Sequence, residues 1–133
     1  MGVAYNEFNS PLVVPSEVGI WRAGYRCPDV EVTPIKGGDS RWLYKEAVYG
    51  KHLVLAIGNT QVADLGFHEH TYRFDIASEP ASDRAAEVDN KVFRADWVGK
   101  KDSFVVLVRP DMYVAYAGDA EGAKAHLGEL FGQ

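Results

Sequence analysis

Two short, uninterrupted runs of apolar residues mark the centre of the chain. They are residues 53–57 and 104–108. Strands covered on both faces carry apolar residues continuously, so each run predicts a fully buried strand. Apolar and polar positions alternate over 71–76, which predicts a half-exposed strand at a sheet edge. Residues 113–117 follow the second run after a tight turn and are expected to pair with it as an antiparallel hairpin.

Three other stretches show the helical period. Pro80 begins a segment whose apolar residues recur at i, i+4, i+7 and i+11, which predicts a helix with one apolar stripe. The stripe consists of Ala81, Ala85, Val88 and Val92. Asp119 is the expected N-cap of the last helix. The apolar face of that helix consists of Ala123, Leu127, Leu130 and Phe131. A shorter helix is predicted over 41–49, with Trp42 packed against the core.

Residues 1–38 follow neither period. Four prolines interrupt any helix, and two adjacent glycines, Gly37 and Gly38, close the segment. We interpret 1–38 as an extended arm or linker, and we assign the folded domain to 39–133. After the arm the predicted order is α-β-(short α)-β-α-β-β-α. This order is that of a thioredoxin-like fold, an α/β domain with a mixed central sheet flanked by helices.

The composition indicates one compact domain. The 133 residues are 47% hydrophobic and 25% charged, and a domain of this length buries roughly two thirds of its unfolded surface. The net charge of −5 provides no basic surplus for a phosphate backbone, so nucleic acid is not expected as a partner. No apolar stretch approaches the roughly 18 residues of a membrane span, and the first residues lack a signal-peptide pattern. A cytoplasmic location without membrane contact is therefore expected.

Cys27 is the only cysteine, which excludes an internal disulfide, a CxxC dithiol and a zinc site built on cysteines. Thioredoxin activity requires a thiolate of low pKa at the helix N-terminus that follows the first core strand. Residues 58–61 at that place read Gly-Asn-Thr-Gln. Cys27 lies in the arm beside Arg26, and we interpret it as incidental. The sequence therefore predicts no thiol oxidoreductase activity.

His68-Glu69-His70 is the one histidine cluster visible in the sequence. On a strand, alternation would place the imidazoles of His68 and His70 on one face, where they could bind a metal together with Asp75 or Glu69. A third ligand is not identifiable, so no metal is predicted. Two alternatives stay open, an ordinary surface pair and a histidine general base. For the second, His68 and His70 are the candidate catalytic residues.

Two arginine–aspartate pairs lie in different parts of the chain, Arg26 with Asp29 and Arg109 with Asp111. In the structural interpretation the arm folds back over the hairpin, and Arg26 pairs with Asp111 or Asp29 with Arg109. In the functional interpretation the two arginines form an anion site, with Tyr113 as a further anchor. Aromatic residues could also line a pocket for an aromatic ligand, although on strands they more often belong to a core or an interface. That set is Trp21, Tyr25, Trp97, Tyr113 and Tyr116.

Three phrases carry a resemblance to a known family. They are YNEFNSPL over 5–12, GYRCPD over 24–29 and VRPDMYVA over 108–115. Together they resemble the C-terminal region of FAD-dependent aromatic ring hydroxylases, the phenol hydroxylase and polyketide hydroxylase group, over essentially the whole chain. Met112 stands where the family's turn has glycine, from which we expect a turn without a positive-φ residue at that position. The stretch 58–70 is short for the helix that the family has there.

The resemblance implies a thioredoxin-like domain without redox cysteines that helps to hold hydroxylase subunits together, while FAD and substrate bind in other domains. No G-x-G-x-x-G motif follows a strand, so we expect no cofactor, and the chain alone is not a flavin hydroxylase. We predict a non-redox interaction module that forms a homodimer or docks on a flavin-hydroxylase-type partner. The alternative is a stand-alone enzyme or binding protein for an aromatic or polyketide-like molecule that acts without flavin.

Overall fold

The computed structural model describes residues 17–35, 39–47, 50–59, 62–79 and 91–132. Within these ranges the chain forms nine strands and two helices. In chain order they are β1 (Glu17–Val18), β2 (Trp21–Arg22), β3 (Glu31–Pro34), β4 (Arg41–Trp42), α1 (Leu43–Glu46), β5 (His52–Gly58), β6 (Thr71–Ala77), β7 (Lys91–Arg94), β8 (Ser103–Val108), β9 (Val114–Gly118) and α2 (Ala120–Phe131). No helix in these ranges is long and apolar enough to cross a membrane.

A mixed seven-stranded sheet forms the centre of the molecule, in the order β4-β3-β7-β6-β5-β8-β9. Strands β5, β6 and β7 are parallel, whereas β8 is antiparallel to β5 and β3 is antiparallel to β7. Strands β8 and β9 form the predicted antiparallel hairpin. This arrangement confirms the predicted α/β class with a mixed sheet and a flanking helix.

The two apolar runs lie side by side inside this sheet and are buried, as predicted. In β5, Leu53, Leu55 and Ile57 face one hydrophobic cluster, and Val54 faces a second, smaller cluster. The residues of 104–108 divide between the same two clusters. Both strands are therefore covered on both faces, which explains why their sequences show no alternation.

Strand β6 is not the edge strand that its alternating sequence predicts. It lies between β5 and β7, with Phe74 beside Leu55 on one side and Lys91 on the other. The neighbour β7 was missed because Val92 fits the stripe of the helix predicted from Pro80. Val92 is instead a buried strand residue. Residues 80–90, which hold the rest of that predicted helix, lie outside the described residues.

The predicted N-terminal arm is extended, but it is not separate from the core. Residues 17–35 contain three strands and no helix. Strand β3 joins the main sheet beside β7, and Trp21 and Val32 are 2% and 1% exposed. The sequence analysis missed this contribution because its prolines interrupt the apolar pattern. The division of the chain at residue 38 stays a prediction.

The helix predicted over 41–49 is much shorter in the structure. Residues 41–42 form β4, in which Trp42 pairs with Glu31, and α1 has four residues. The Leu43 side chain, directly after β4, is fully buried in the core, whereas the Trp42 side chain is 50% exposed. The expectation that Trp42 packs against the core is therefore wrong.

Helix α2 follows the prediction closely. The Asp119 carboxylate accepts a hydrogen bond from the Gly122 amide at 2.8 Å, which is the geometry of an N-cap. Ala123 and Leu127 are fully buried, and Phe131 packs at the border of the smaller cluster. The helix covers β8 and β9 on that face of the sheet.

An ion pair on β6 covers the rest of this face. The Arg73 Nε atom lies 2.7 Å from Asp75 Oδ1, and the two side chains are only 14% and 5% exposed. The same guanidinium donates to the carbonyl oxygens of Val62 and Ala63 at 2.6 and 3.0 Å. These hydrogen bonds hold residues 62–67, which have no regular secondary structure, over the sheet. Within this segment the Leu65 side chain is buried in the smaller cluster.

Breaking this pair should be costly. We expect Arg73→Ala to lower the free energy of unfolding by about 3 to 5 kcal/mol, because it leaves the Asp75 carboxylate buried without its partner. Arg22→Ala is the matched control, since the pair of Arg22 with Glu17 spans 3.9 Å with side chains 52% and 64% exposed. The control should cost less than about 1 kcal/mol. Urea unfolding measures both, and equal losses would contradict the role given to Arg73.

Candidate functional site

The arm crosses the turn between β8 and β9, where most of the predicted site residues lie. The Gly24 amide donates to the Val114 carbonyl at 2.8 Å, and the Val114 amide donates to the Tyr25 carbonyl at 2.8 Å. The Cys27 amide donates to the Met112 carbonyl at 2.7 Å. The arm does fold back over the hairpin, but main-chain hydrogen bonds fasten it.

The four charged residues at this crossing do not pair as the sequence analysis expected. Arg109 Nη2 lies 2.5 Å from Asp111 Oδ2 within the hairpin turn itself. The Arg26 guanidinium lies over the Tyr44 ring, 5.7 Å from its centroid, and the Asp29 carboxylate accepts from the Tyr44 amide at 3.0 Å. Arg26 and Asp29 therefore contact Tyr44, so the predicted Arg26–Asp111 and Asp29–Arg109 pairs are wrong.

The physical reason lies in the tightness of the turn. Asp111 is already engaged there, because its other carboxylate oxygen accepts from the Tyr113 amide at 3.2 Å. A main-chain bridge joins Arg26 to Tyr113. The role of these residues as ligand anchors stays a prediction. The set consists of Arg26, Asp29, Arg109, Asp111 and Tyr113.

Met112 has a φ of +68°, contrary to the expectation that a turn without glycine avoids the left-handed region. Its amide donates to the Arg109 carbonyl at 2.8 Å and closes the turn. Its side chain packs against the larger hydrophobic cluster. The left-handed conformation costs about 1 to 2 kcal/mol, and the contacts of the partly buried side chain offset part of that cost.

Cys27 lies beneath this crossing and is 2% exposed. Burial raises the pKa of its thiol to about 12, with a further rise from Asp29 and an opposing effect of Arg26. The thiol donates to the Pro28 carbonyl at 3.4 Å, and the Tyr44 hydroxyl donates to the Cys27 carbonyl. The thiol is therefore protonated and shielded in the closed structure.

The carboxyl end of β5 is closed by polar contacts. The Asn59 side chain donates to the Ser78 hydroxyl at 3.0 Å and accepts from the Glu79 amide at 2.9 Å. Gly58 has a φ of +131°, and a Cβ atom there would overlap the main-chain carbonyl of Asp102. Glycine is therefore required at the end of this strand. Residues 60–61 lie outside the described residues.

His68 and His70 lie in a turn over 68–70, not on a strand. His68 Nε2 lies 2.7 and 2.8 Å from the two oxygens of Asp64, and the pair is exposed. The Gly66 amide and His68 lower the pKa of the Asp64 carboxyl by hydrogen bonding to its charged form. His70 stacks on Phe131, with ring centroids 4.3 Å apart. The two imidazoles thus have different neighbours, and their catalytic role stays a prediction.

No group of three or more potential metal ligands occurs within the described ranges. Asp75, which the sequence analysis considered as a ligand beside the histidines, is bound to Arg73 instead.

The sequence analysis missed two histidines, His52 and His126, of which His52 contacts the same Phe131 ring as His70. The His52 ring meets Phe131 edge-on, with centroids 5.2 Å apart. His126 is 2% exposed on α2, and its ring lies over Tyr116 with centroids 6.4 Å apart. A signal for His126 existed, because it shares the i, i+3, i+4 face with Ala123 and Leu127.

The predicted aromatic set does not form one pocket. The rings of Trp21 and Trp97 are 5.8 Å apart and belong to the larger cluster, whereas Tyr116 belongs to the smaller one. The sheet lies between these clusters. Tyr25 is stacked with Arg22, whose guanidinium lies 4.5 Å from the ring centroid.

Comparison with solved structures confirms the thioredoxin-like fold. A candidate protein disulfide isomerase from Bacteroides thetaiotaomicron is 13% identical, with a TM-score of 0.57 over 86% of this chain and 92% of that chain. The thioredoxin domain of a thiol-disulfide oxidoreductase from Bacteroides vulgatus is 10% identical, with a TM-score of 0.50 over 80% and 96%. A thiol peroxidase from Chromobacterium violaceum is 12% identical, with a TM-score of 0.52 over 81% and 80%.

No protein-family description and no curated protein match the sequence. The comparisons therefore give no link to the aromatic hydroxylases, and the structures named above are all proteins of thiol chemistry. This finding corrects the prediction of a non-redox, hydroxylase-type docking module. The phrases over 5–12, 24–29 and 108–115 are short and do not carry that assignment.

Double-mutant cycles test how the arm is fastened. Arg26→Ala and Asp111→Ala should be additive to within about 0.5 kcal/mol, because Arg26 contacts Tyr44 and not Asp111. The matched positive control is the cycle of Arg109→Ala with Asp111→Ala, which should show a coupling of at least about 0.5 kcal/mol. Urea unfolding provides the free energies. Strong coupling between Arg26 and Asp111 would contradict the contacts described here.

Proposed function

We propose that this protein works in thiol redox chemistry through its one thiol, Cys27. The observation that carries the proposal is the fold it shares with a candidate disulfide isomerase, a thiol-disulfide oxidoreductase and a thiol peroxidase. Cys27 is the only residue of the chain that can supply a thiol. This proposal replaces the incidental role that the sequence analysis gave to Cys27.

A single thiol limits the reaction to mixed disulfides. The Cys27 thiol loses its proton to solvent, and the thiolate attacks one sulfur of a disulfide in the partner molecule. The partner's S–S bond breaks, a Cys27–partner disulfide forms, and the second partner sulfur leaves as a thiolate that takes up a proton. Release then requires an external thiol, because this chain contains no second cysteine.

The burial of Cys27 makes this reaction depend on local opening. A thiol with a pKa of about 12 is almost entirely protonated at neutral pH, and only the thiolate is a nucleophile. Main-chain hydrogen bonds to the hairpin hold the segment, among them the Cys27 amide to the Met112 carbonyl, and the Tyr44 hydroxyl donates to the Cys27 carbonyl. Opening of residues 23–28 alone would expose the thiol and return its pKa toward about 8.5.

Labelling with glutathione disulfide tests the proposal. We expect the native protein to gain one glutathione slowly, measured by intact mass, and Cys27→Ser to gain none. Because opening limits the reaction, the rate should become independent of reagent concentration at high excess. A native protein that stays unmodified while the urea-unfolded protein reacts fully would contradict the proposal.

The Tyr44 hydroxyl provides a sharper version of this test. Tyr44→Phe removes its hydrogen bond to the Cys27 carbonyl and should accelerate labelling about two- to tenfold, the effect of losing one such bond from the closed state. Tyr72→Phe is the matched control, because Tyr72 lies on β6 beside Phe74. It should label at the wild-type rate. Equal rates in both variants would show that the Tyr44 bond does not restrain Cys27.

The homodimer and the aromatic ligand of the sequence analysis stay proposals. Light scattering over a wide concentration range tests the first of them. A constant monomeric mass would contradict a homodimer.

A further inference from the structure

Met112 lies where the hairpin turn meets the arm. Its carbonyl accepts from the Cys27 amide at 2.7 Å, and its own amide closes the turn on the Arg109 carbonyl at 2.8 Å. Its side chain packs against the larger hydrophobic cluster, to which the buried Cys27 side chain also belongs. One residue therefore connects the shape of the turn, the attachment of the arm and the packing around the thiol.

The main-chain conformation of Met112 depends on the contacts of its side chain. Its φ of +68° lies in the left-handed region, which a residue other than glycine adopts at a conformational cost. Asparagine and aspartate reduce this cost with local hydrogen bonds of their short polar side chains, which methionine cannot form. The apolar contacts with the larger cluster offset part of the cost instead. Loss of these contacts would favour a different turn.

The Met112 side chain is packed against the core but is not closed off from solvent. Met112 is partly exposed, whereas Cys27 is 2% exposed. A small oxidant therefore reaches the methionine more readily than it reaches the thiol. The only other methionine of the chain is Met1.

We propose that Met112 is a site of reversible oxidation by hydroperoxides, and that formation of its sulfoxide releases the arm from the hairpin turn. The thioether sulfur attacks the terminal oxygen of the peroxide, the O–O bond breaks and an S–O bond forms. The proton of the transferred oxygen passes to the leaving oxygen, which departs as water or an alcohol. The sulfur is oxidised and the peroxide is reduced. A methionine sulfoxide reductase reverses the modification with a dithiol as reductant.

The sulfoxide cannot keep the contacts of the thioether. Its oxygen is a hydrogen-bond acceptor, and burial of a polar group in apolar surroundings is unfavourable. The oxidised side chain therefore leaves the larger cluster for solvent, and the left-handed φ of Met112 loses the contacts that offset its cost. The turn then changes its geometry and withdraws the Met112 carbonyl from the Cys27 amide. Oxidation thereby controls access to the thiol, a consequence that rests on the function proposed for Cys27.

Mild treatment of the folded protein with hydrogen peroxide tests the proposal. Peptide mass mapping should locate one added oxygen on Met112, with Cys27 unmodified. Hydrogen exchange followed by NMR should then show that protection of the Cys27 amide falls about tenfold, because its acceptor has withdrawn. The Val106 amide is the internal reference, since Val106 lies between two strands in the middle of β8 and reports global unfolding. Its protection should fall much less.

Alkylation with iodoacetamide measures exposure of the Cys27 thiol separately from disulfide exchange. The sulfoxide form should react about tenfold faster than the untreated protein. Unchanged alkylation and unchanged protection after oxidation of Met112 would overturn the release and leave the proposed thiol chemistry intact. Faster alkylation without any uptake of glutathione would support the release and contradict the proposed thiol chemistry.

Met112→Leu is the matched control. Leucine keeps an apolar side chain of similar volume but has no sulfur, and the variant still contains Met1. Peroxide should therefore change neither the protection of the Cys27 amide nor the alkylation rate. A response equal to that of the wild-type protein would overturn the role given to Met112.

A measurement on the wild-type protein covers the case in which Met112→Leu does not fold. Treatment of the oxidised protein with methionine sulfoxide reductases should remove the added oxygen, which intact mass detects. The protection of the Cys27 amide and the alkylation rate should return to their original values. Removal of the oxygen without this recovery would overturn the proposal.

Discussion

The buried pair of Arg73 and Asp75 is the interaction on which the layout of this sheet depends. It neutralises the polar face of β6, which allows that strand to lie inside the sheet. The same guanidinium uses its remaining donors to hold the carbonyls of Val62 and Ala63. One side chain thus permits β6 to be buried and fixes the irregular segment that buries it. An apolar residue at position 73 could fill the space, but it could not satisfy those carbonyls.

The two faces of the sheet are completed by different means. The smaller core is covered by α2 and by residues 62–67, which meet at Phe131. The larger core includes three buried residues of the N-terminal arm, Trp21, Cys27 and Val32. The candidate thiol and the rings of His52 and His70 beside Phe131 consequently belong to opposite faces of the sheet.

The sequence predicted the parts of the fold in which apolar residues are buried and polar residues are exposed. Continuous apolar runs identified β5 and β8, and Asp119 identified the start of α2, because these patterns have one physical explanation each. The prediction failed where polar residues are buried or apolar residues are exposed. Arg73 and Asp75 were predicted to face solvent, because the alternation of polar and apolar residues does not show that the two side chains pair with each other. Trp42 was predicted to lie in the core because it is a large apolar residue.

The site was harder to predict than the fold. The charged residues of the arm and the turn were recognised, but their partners depend on main-chain geometry. Asp111 pairs with Arg109 inside the turn, and Arg26 contacts Tyr44. His52 and His126 lie 74 positions apart in the sequence, and only the packing of α2 against the sheet brings them near each other. A search for neighbouring histidines along the chain finds His68 and His70 but not this arrangement.

The hydrogen bonds between the arm and β9 have a consequence for the behaviour of the chain in solution. Strand β9 ends the sheet, and an open edge strand offers its unpaired main-chain groups to any other extended chain. Gly24 and Tyr25 occupy the groups of Val114 on that edge. The arm therefore shields this end of β9 from edge-to-edge pairing with another chain.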